Sequence, residues 1–283
     1  MHLIVKAEEH NRTIITEFIL LGFGNLPELQ LLLFLVFLVI YIVTISGNIL
    51  IVVLVVADQH LHTPMYFFLG NLSCLETCYT STVLPRLLTS LLNGDRTISV
   101  SGCFAQFYCF VSLAATECYL LAAMSWISGF LICVIMMCFM SQLTFCGPNE
   151  IDHFFCDYSP MLQLSCSDTS MITLVSFILA FLDSPCPFLL TVTSYVCIIA
   201  TILRIPSTTG RQKAFSTCSS HLIVVTVFYG TIITVYLLPK TNTLKTLNKV
   251  FSVFYTVLTP MLNPLIYSLR NKEVKEALRK VIR

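Results

Sequence analysis

The sequence is poor in charge. Only 11% of its 283 residues are Asp, Glu, Lys or Arg, whereas 56% are hydrophobic, and its mean hydropathy is +0.85. A water-soluble domain of this composition would be covered in apolar surface. No basic patch interleaved with aromatics stands out, so nothing indicates nucleic-acid binding. These shortages predict a polytopic membrane protein whose partners are lipid, other membrane proteins or a small molecule.

Motifs for catalysis and metal binding are also missing. The sequence has no C-x-x-C or H-E-x-x-H spacing, and no nucleophile, base and orienting group share a recognisable motif. We therefore expect neither an enzyme nor a resident organic cofactor. Internal repeats are absent as well, which argues against an inverted-repeat transporter. A transporter or channel is kept as a less favoured hypothesis because three acids lie within apolar runs.

Long apolar runs are what the sequence has in abundance. One membrane crossing needs about 20 apolar residues, and backbone groups in lipid must be paired internally, so each run predicts a helix. The stretch from Cys103 to Phe145 has one charge, Glu117, and is long enough for two crossings. The third and fourth spans then meet at Ser125 and Trp126 without a loop. Counted this way the spans are seven, at 29–56, 64–92, 101–125, 126–145, 171–203, 214–238 and 250–269.

Three cues agree on the orientation of these spans. Asn11 begins a glycosylation sequon ahead of the first span, which is modified only on the lumenal side. The segment between the fourth and fifth spans has four acids and no Lys or Arg, whereas residues 270–283 contain six basic residues. We expect an extracellular tail over 1–28, a seven-helix domain over 29–270 with the junction at 125–126, and a cytoplasmic amphipathic tail over 271–283.

Four of the 13 cysteines lie outside the spans or at their ends. Cys103 opens the third span, and three more follow in the acidic outer segment, Cys146, Cys156 and Cys166. In an oxidising compartment they predict two disulfides, for which the sequence leaves three pairings open. Metal binding is the weaker alternative. The cysteines inside the spans are expected to be small buried hydrophobes.

Three acids, Glu76, Glu117 and Asp183, lie within predicted spans. Charges in a membrane are costly and usually face a cavity, an ion or one another. With Asn48 and Asn263 they could form a polar cluster in the bundle interior. One interpretation is a cation or proton site coupled to helix movement, and the other is a protonated carboxyl that hydrogen-bonds for packing.

Five strings occur in order along the predicted spans: LHTPMYFF at 61–68, SY at 194–195, KAFSTCSSHL at 213–222, FYGT at 228–231 and PMLNPLIY at 260–267. Together they closely resemble the signature motifs of vertebrate odorant receptors, a family of rhodopsin-like G-protein-coupled receptors. The resemblance covers nearly the whole chain. It implies an all-α membrane protein, a seven-transmembrane helix bundle with a short C-terminal amphipathic helix, that detects a small volatile odorant and activates a stimulatory G protein.

The resemblance also assigns roles to the cysteines and acids. It implies a sodium-type site between Glu76 and Glu117, where Asp is the commoner residue in the family. A sodium ion is the one cofactor that we expect. For the outer cysteines the resemblance selects a single pairing, Cys103 with Cys156 and Cys146 with Cys166.

In such receptors the ligand pocket lies between the third, fifth, sixth and seventh helices, toward the outer face. The resemblance therefore implies a mainly apolar odorant with one hydrogen-bonding group. For each aliphatic candidate plain helix packing is the alternative, whereas a buried phenol needs a polar partner. By position the expected lining residues are Phe110, Val111, Ala114, Ala115, Leu179, Asp183, Tyr229, Ile233 and Tyr236.

Activation in the family is a shift between two helix arrangements. The resemblance gives Asn263, Pro264 and Tyr267 the role of a proline kink and a mobile phenol in the seventh helix, with Tyr195 as a matching phenol in the fifth. Beyond them an apolar stripe opposite basic residues predicts a short helix on the inner leaflet. That stripe consists of Val274, Ala277, Leu278, Val281 and Ile282.

One element of the family is missing. After Ser125 the family continues with Tyr-Asp-Arg-Tyr, the second inner loop and the start of the fourth helix, but here Trp126 follows at once. The missing Asp-Arg-Tyr locks the resting state and contacts the G protein in these receptors. We therefore expect a plasma-membrane, multi-pass receptor with its N-terminus outside, and as the alternative a non-signalling product retained in the endoplasmic reticulum.

Overall fold

The computed structural model is a helical bundle with a small sheet at one end. It describes residues 15–24, 27–121, 126–146, 148–204, 207–237, 242–270, 274 and 276–279. A 3₁₀ turn lies at Gln59–Leu61 and a π turn at Phe254–Leu258. The helices are α1 Pro27–Ala57, α2 Pro64–Asn93, α3 Val100–Leu121, α4 Trp126–Met140, α5 Tyr158–Gln163, α6 Ser170–Asp183, α7 Pro185–Ile202, α8 Thr208–Leu237, α9 Asn242–Val253 and α10 Thr259–Arg270.

Apart from α5, which lies between the fourth and fifth predicted spans, each helix overlaps one of the seven predicted spans. Helices α6 and α7 together make the fifth crossing, and α9, the π turn and α10 make the seventh. Two further apolar helices, Leu131–Met140 and Leu222–Leu237, are shorter than a full crossing. Within the described residues, three helical stretches are long and apolar enough to cross a membrane by length and composition, Glu28–Ala57, Ser170–Leu203 and Leu247–Ile266.

Proline and glycine set several helix boundaries. Thr63 is extended, and Pro64, which has no N–H to leave unpaired, opens α2. Gly94 ends the same helix with φ of 70°, in the left-handed region that costs glycine least. Pro185 starts α7 and breaks the fifth crossing at Ser184, because its ring and missing N–H disrupt the helix that precedes it.

A three-stranded sheet, which the sequence analysis did not predict, lies at the outer end of the bundle. Its strands are β1 Glu17–Leu20, β2 Thr97–Ser99 and β3 Glu150–Ile151, in the order β2-β1-β3. Strand β1 pairs antiparallel with β2 and parallel with β3. Phe18 and Leu20 alternate inward and are buried, which explains why part of the expected N-terminal tail is ordered as a strand.

The bundle core is rich in aromatics. Phe110 lies at its centre, with ring centroids 4.7 Å from Phe155, 5.0 Å from Tyr79 and 6.1 Å from Tyr255. Aromatic pairs at such distances add about 0.5–1.5 kcal/mol beyond their burial. The third helix, the outer segment and the seventh crossing are therefore packed against one another.

The predicted apolar stripe of the C-terminal tail packs on the inner end of the bundle. Residues 274 and 276–279 are helical. Val274 and Ala277 are buried in a cluster that includes Ile51, Leu54 and Tyr66. Leu278 is partly buried against the same cluster, whereas Val281 and Ile282 lie outside the described residues, as do Asn11 and Ser125.

Helix α4 is short for a membrane crossing. Its 15 residues extend about 22 Å at 1.5 Å per residue, against a hydrocarbon thickness of about 30 Å. Its neighbour α3 has 22 residues and extends about 33 Å. The thiol of Cys133 donates to the carbonyl of Tyr108 at 3.4 Å, which attaches α4 to α3. Leu121 and Trp126, the ends of the two helices, are separated by only four residues.

Candidate ligand-binding site

A cavity of about 380 Å³ lies between α3, α4, α6 and the outer ends of the sixth and seventh crossings. This volume lies at the small end of the range for ligand pockets. Most of the lining is apolar, with a few hydroxyls and one carboxyl. The lining residues are Phe107, Phe110, Val111, Ala114, Ala115, Ile132, Met136, Asp157, Tyr158, Thr173, Ser176, Phe177, Leu179, Ala180, Ser184, Ile232, Tyr236, Leu237 and Tyr255.

Polar groups converge at the outer end of this cavity. The hydroxyl of Tyr236 donates to Asp157 Oδ1 at 2.8 Å and lies 3.1 Å from the hydroxyl of Tyr255. Tyr255 in turn donates to Ser252 Oγ at 3.2 Å. Asp157 is 2% exposed, so solvent only weakly screens the interactions of its carboxyl with neighbouring polar groups. This cluster offers an acceptor and two phenols to a small ligand.

A disulfide places Asp157 over the cavity. Cys103 at the outer end of α3 is bonded to Cys156, with their Cα atoms 5.5 Å apart, and Asp157 is the next residue. Asp157 then caps α5 by accepting from the backbone N–H of Tyr158 at 2.8 Å. The outer segment is thus fixed to the third helix at the point where the carboxyl faces the cavity.

The second expected disulfide is also present. Cys146 and Cys166 are bonded, with their Cα atoms 6.0 Å apart. Beside this bond, the N–H of Cys166 donates to the carbonyl of Thr144 at 2.9 Å. The bond closes the outer segment into a loop of its own, so both ends of that segment are constrained.

The fifth crossing supplies further hydroxyls along one face of α6. Thr173, Ser176 and Ser184 line the cavity at spacings of three and eight residues. The hydroxyl of Ser176 donates to the carbonyl of Ile172 at 2.5 Å. Ser184 is 2% exposed, and its hydroxyl has no hydrogen-bond partner in the described part of the chain. A buried unpaired hydroxyl facing a cavity is a candidate ligand contact.

Six of the nine expected ligand residues line the cavity: Phe110, Val111, Ala114, Ala115, Leu179 and Tyr236. Tyr229 and Ile233 do not. The Tyr229 ring is fully buried and packs 5.5 Å from each of Phe188 and Phe228. Ile233 lies at the depth of the cavity, between the lining residues Ile232 and Tyr236, but is not part of its wall. The side chain of the ninth, Asp183, lies outside the described residues.

The sequence reasoning missed Asp157 and Tyr255 as site residues. In the sequence, Asp157 is one of four acids between the fourth and fifth spans. Its position follows from the expected Cys103–Cys156 bond, which brings the residue after Cys156 to the top of the third helix. Tyr255 carried no comparable signal, because its orientation depends on the π turn, which shifts the side chains of that segment around the helix axis.

A second polar site lies deeper in the bundle. Glu76 on α2 is fully buried and accepts a hydrogen bond from the side-chain amide of Asn263 on α10. Glu117 on α3 is 1% exposed and lies close enough to interact electrostatically with Glu76. One oxygen of each carboxyl has no hydrogen-bond partner among the described residues. The expected acid pair is therefore brought together.

Asn48 belongs to the same region through a contact with the seventh crossing. Pro264 has no N–H, so the carbonyl four residues earlier, that of Pro260, has no helical donor. The amide of Asn48 donates to that carbonyl at 3.2 Å. The helices approach closely because of Gly47, where a Cβ would lie 3.0 Å from the Cβ of Pro264. Helices α1 and α10 are thus joined at the proline kink.

The donor set of this site suits a small hard cation. The unpaired atoms are Glu76 Oε2, Glu117 Oε1 and Asn48 Oδ1, all oxygens of the kind that such ions take as ligands. The described residues hold no cluster of three or more His, Cys, Asp or Glu that could bind a metal. A proton shared between the carboxyls would satisfy the same atoms, so both interpretations of the acids stay open.

Of the expected activation residues, Asn263 and Pro264 have the placement described above. Tyr195 lies half-buried on α7. The side chain of Tyr267 lies outside the described residues. The structure therefore locates three of the four.

The fold and the sequence both have known counterparts. Squid rhodopsin superimposes with a TM-score of 0.60 at 14% identity, covering 91% of this chain and 86% of that structure. The fold is accordingly that of the rhodopsin-type seven-helix receptors. A family model described as olfactory receptor matches residues 37–134 and 122–283, two segments that overlap around the junction at 125–126. The chain belongs to the olfactory receptor family.

Individual relatives agree with this assignment. Olfactory receptor 11L1 of Homo sapiens is 48% identical over 98% of this chain and 95% of its own length. Olfactory receptor 6B1 of Homo sapiens is 48% identical over 97% of each chain. The first alignment extends over 305 residues, more than the 283 of this chain, so that relative has residues that this chain lacks. By family the chain is a multi-pass membrane receptor and not an enzyme.

Proposed function

We propose that this receptor binds a small, mainly apolar volatile with one hydrogen-bonding group in the cavity beneath Asp157. The observation that carries the proposal is the cluster of Asp157, Tyr236 and Tyr255 at the outer end of an otherwise apolar cavity. An apolar body is desolvated by the lining, and its polar group replaces water at the cluster. Aliphatic alcohols of six to ten carbons are suitable probes because their hydroxyl both donates and accepts.

Two tyrosines of α8 provide a matched test of this site. Tyr236 contributes its hydroxyl to the cluster, whereas Tyr229 lies outside the cavity. With purified receptor in lipid nanodiscs, we expect Tyr236→Phe to weaken alcohol binding about three- to tenfold, the cost of one hydrogen bond. Tyr229→Phe should leave binding unchanged. Equal effects of the two substitutions would refute this placement of the ligand's polar group.

We propose that the N-terminus faces outward and that the receptor's inherited partner is a stimulatory G protein. The orientation is supported by the acidic outer segment, which carries both disulfides, and by the basic C-terminal tail. Coupling lacks the Asp-Arg-Tyr contact, so we expect a weak or absent cAMP response in transfected cells. Restoring the missing segment from a relative should produce an odorant-dependent rise. A full response without that segment would refute the role given to it.

A retained, non-signalling product is the second candidate, and the length of α4 favours it. A helix about 8 Å shorter than the hydrocarbon layer forces the bilayer to thin or leaves backbone groups unpaired. Retention predicts that the glycan on Asn11 stays sensitive to endoglycosidase H. Retention would be excluded if the glycan became resistant to endoglycosidase H to the same extent in this chain as in the receptor with the missing segment restored.

We propose further that the acid pair binds sodium. Glu76, Glu117 and Asn48 would hold the ion, which would supply positive charge between two carboxyls and thereby stabilise one helix arrangement. The test is the thermal midpoint of nanodisc-embedded receptor in sodium against choline chloride of equal ionic strength. Sodium should raise the midpoint, and Glu76→Gln should abolish the difference. No difference in the unsubstituted receptor would favour a shared proton.

A further inference from the structure

The outer face of the receptor is closed over the cavity. Phe154 and Phe155 in the outer segment are 2% and 0% exposed. Phe155 packs on Phe110 of α3, and Phe154 stacks at 5.3 Å on Phe23 of the N-terminal segment. The three-stranded sheet lies beside these rings. A ligand arriving from water on this side would have to displace a packed aromatic layer, which is costly.

The outer segment is also fastened to the seventh crossing. Lys249 on α9 donates to Asp152 at 2.5 Å and to the carbonyl of Gly22 at 3.2 Å. The Lys249 side chain is 18% exposed and that of Asp152 is 59% exposed, so solvent still screens this ion pair. Together with the bond from Tyr236 to Asp157, it connects the N-terminal segment, the outer segment and two crossings.

The cavity wall reaches the surface on the side between α4 and α6. Phe177 lines the cavity and is at the same time 50% exposed. Thr173, one turn away on the same face of α6, also lines the cavity and is exposed. Across from them α4 contributes Ile132 and Met136 to the same wall. Part of the cavity wall between α4 and α6 is therefore made by side chains that are also exposed.

The side chains where α4 meets α6 explain why the cavity wall reaches the surface there. Helices α4 and α6 touch where the hydroxyl of Ser176 lies 3.5 Å from the sulfur of Met136. One turn further in, Ala180 on α6 and Ile132 on α4 face the cavity, and the small alanine leaves space between the helices. The ring of Phe177 stands beside this space. Because a ring on an exposed helix face reorients within nanoseconds, it can act as a gate.

The seam lies at the depth of the outer leaflet. Phe177 is seven residues from the outer end of α6, and Ile132 is eight residues from the outer end of α4, which correspond to about 10 and 12 Å. At this depth the surroundings are acyl chains. An apolar volatile partitions into that layer and becomes concentrated next to the gap.

We propose that ligands enter the cavity sideways from the outer leaflet, between α4 and α6, past Phe177 as a gate. This inference rests on the proposed function, because it takes the cavity to be the ligand site. It implies that the receptor samples volatiles dissolved in lipid. Ligand selection therefore depends on partition into the bilayer as well as on the polar cluster at Asp157.

The test compares two phenylalanines on α6. Phe177 and Phe181 are both 50% exposed and lie one turn apart, but only Phe177 lines the cavity. The probe is 1-aminoanthracene, whose fluorescence rises in apolar surroundings, mixed by stopped flow with receptor in nanodiscs. We expect Phe177→Ala to raise the association and dissociation rates about threefold or more and Phe177→Trp to lower both. The association and dissociation rates should change in the same direction, because a gate affects entry and exit alike.

Control variants separate this route from its alternatives. Phe181→Ala and Phe181→Trp should leave both rates unchanged. Lys249→Met, which removes the contacts of Lys249 with Asp152 and Gly22, should also leave both rates unchanged. Unchanged rates in the Phe177 variants, or faster association in Lys249→Met, would overturn the lateral route while leaving the ligand site in place. Failure of the unsubstituted receptor to bind the probe would overturn the proposed function, and the route with it.

Discussion

Acidification from pH 7 to pH 5 is expected to loosen the packing of the outer segment over the bundle, which we call the outer closure. The residue responsible is His153. The His153 ring is 4% exposed and lies 4.6 Å from the ring of Phe154 and 4.7 Å from that of Phe155. Neither ring nitrogen has a hydrogen-bond partner within the described residues. Burial, and secondarily the positive charge of Lys249, lowers the pKa of His153 to about 3, against a partial opposing effect of Asp152.

The sign and size of the effect follow from proton linkage. When the closure opens, His153 regains water and its ordinary pKa of 6.5, so the open form binds the proton more tightly than the closed form. The stability contributed by the neutral ring is complete above pH 6.5 and is lost as the pH falls toward 3. Between pH 7 and pH 5 the loss is about 2 kcal/mol, or about a 30-fold rise in the open population.

Hydrogen–deuterium exchange of the strand amides provides the measurement. Exchange of the β1 amides, normalised to the intrinsic rate at each pH, should accelerate about 30-fold between pH 7 and pH 5. In His153→Gln, whose side chain carries no titratable group, the normalised rate should be nearly independent of pH over this range. An equal pH dependence in both proteins would refute the assignment to His153.

Three further substitutions test the packing. Asn48→Leu leaves the carbonyl of Pro260 buried without a donor and should lower stability by about 1–3 kcal/mol, measured by thermal unfolding in nanodiscs; a midpoint unchanged from wild type would contradict the contact. Gly47→Leu should also lower the thermal midpoint, because the leucine side chain meets Pro264. Gly230→Ala is the control, because a Cβ at Gly230 meets no atom within 4 Å. Cys103→Ser should cost about 2–5 kcal/mol and release the outer segment, seen as faster proteolysis there.

The sequence predicts the structure best where a local chemical property restricts the possible contacts. Spans follow from apolar length, and the missing N–H of Pro264 identifies the carbonyl of Pro260 as one that needs a donor from another helix. The resemblance supplied the pairing of the outer cysteines, which spacing had left open. In each case a local chemical property restricts the tertiary arrangement to very few possibilities.

Other features depended on where separate elements meet. Tyr229, Ile233 and Tyr236 lie on one helical face, so periodicity predicts a common environment for them. On α8 the cavity is lined by Ile232 and Tyr236, whereas Phe188 and Phe228 pack around Tyr229. Strand β1 was also missed, because its partners come from distant parts of the chain. Strand β1 has four residues, of which only Glu17 is polar, so it has no alternation long enough to indicate a strand.

The central position of β1 has a practical consequence for handling the receptor. Strands β2 and β3 each pair with β1 and not with one another, so deleting residues 17–20 would break the sheet into two unsupported segments. Epitope tags and signal sequences added for expression therefore belong ahead of residue 15. A shortened N-terminus intended to help crystallisation would instead release the outer segment that packs beside the cavity.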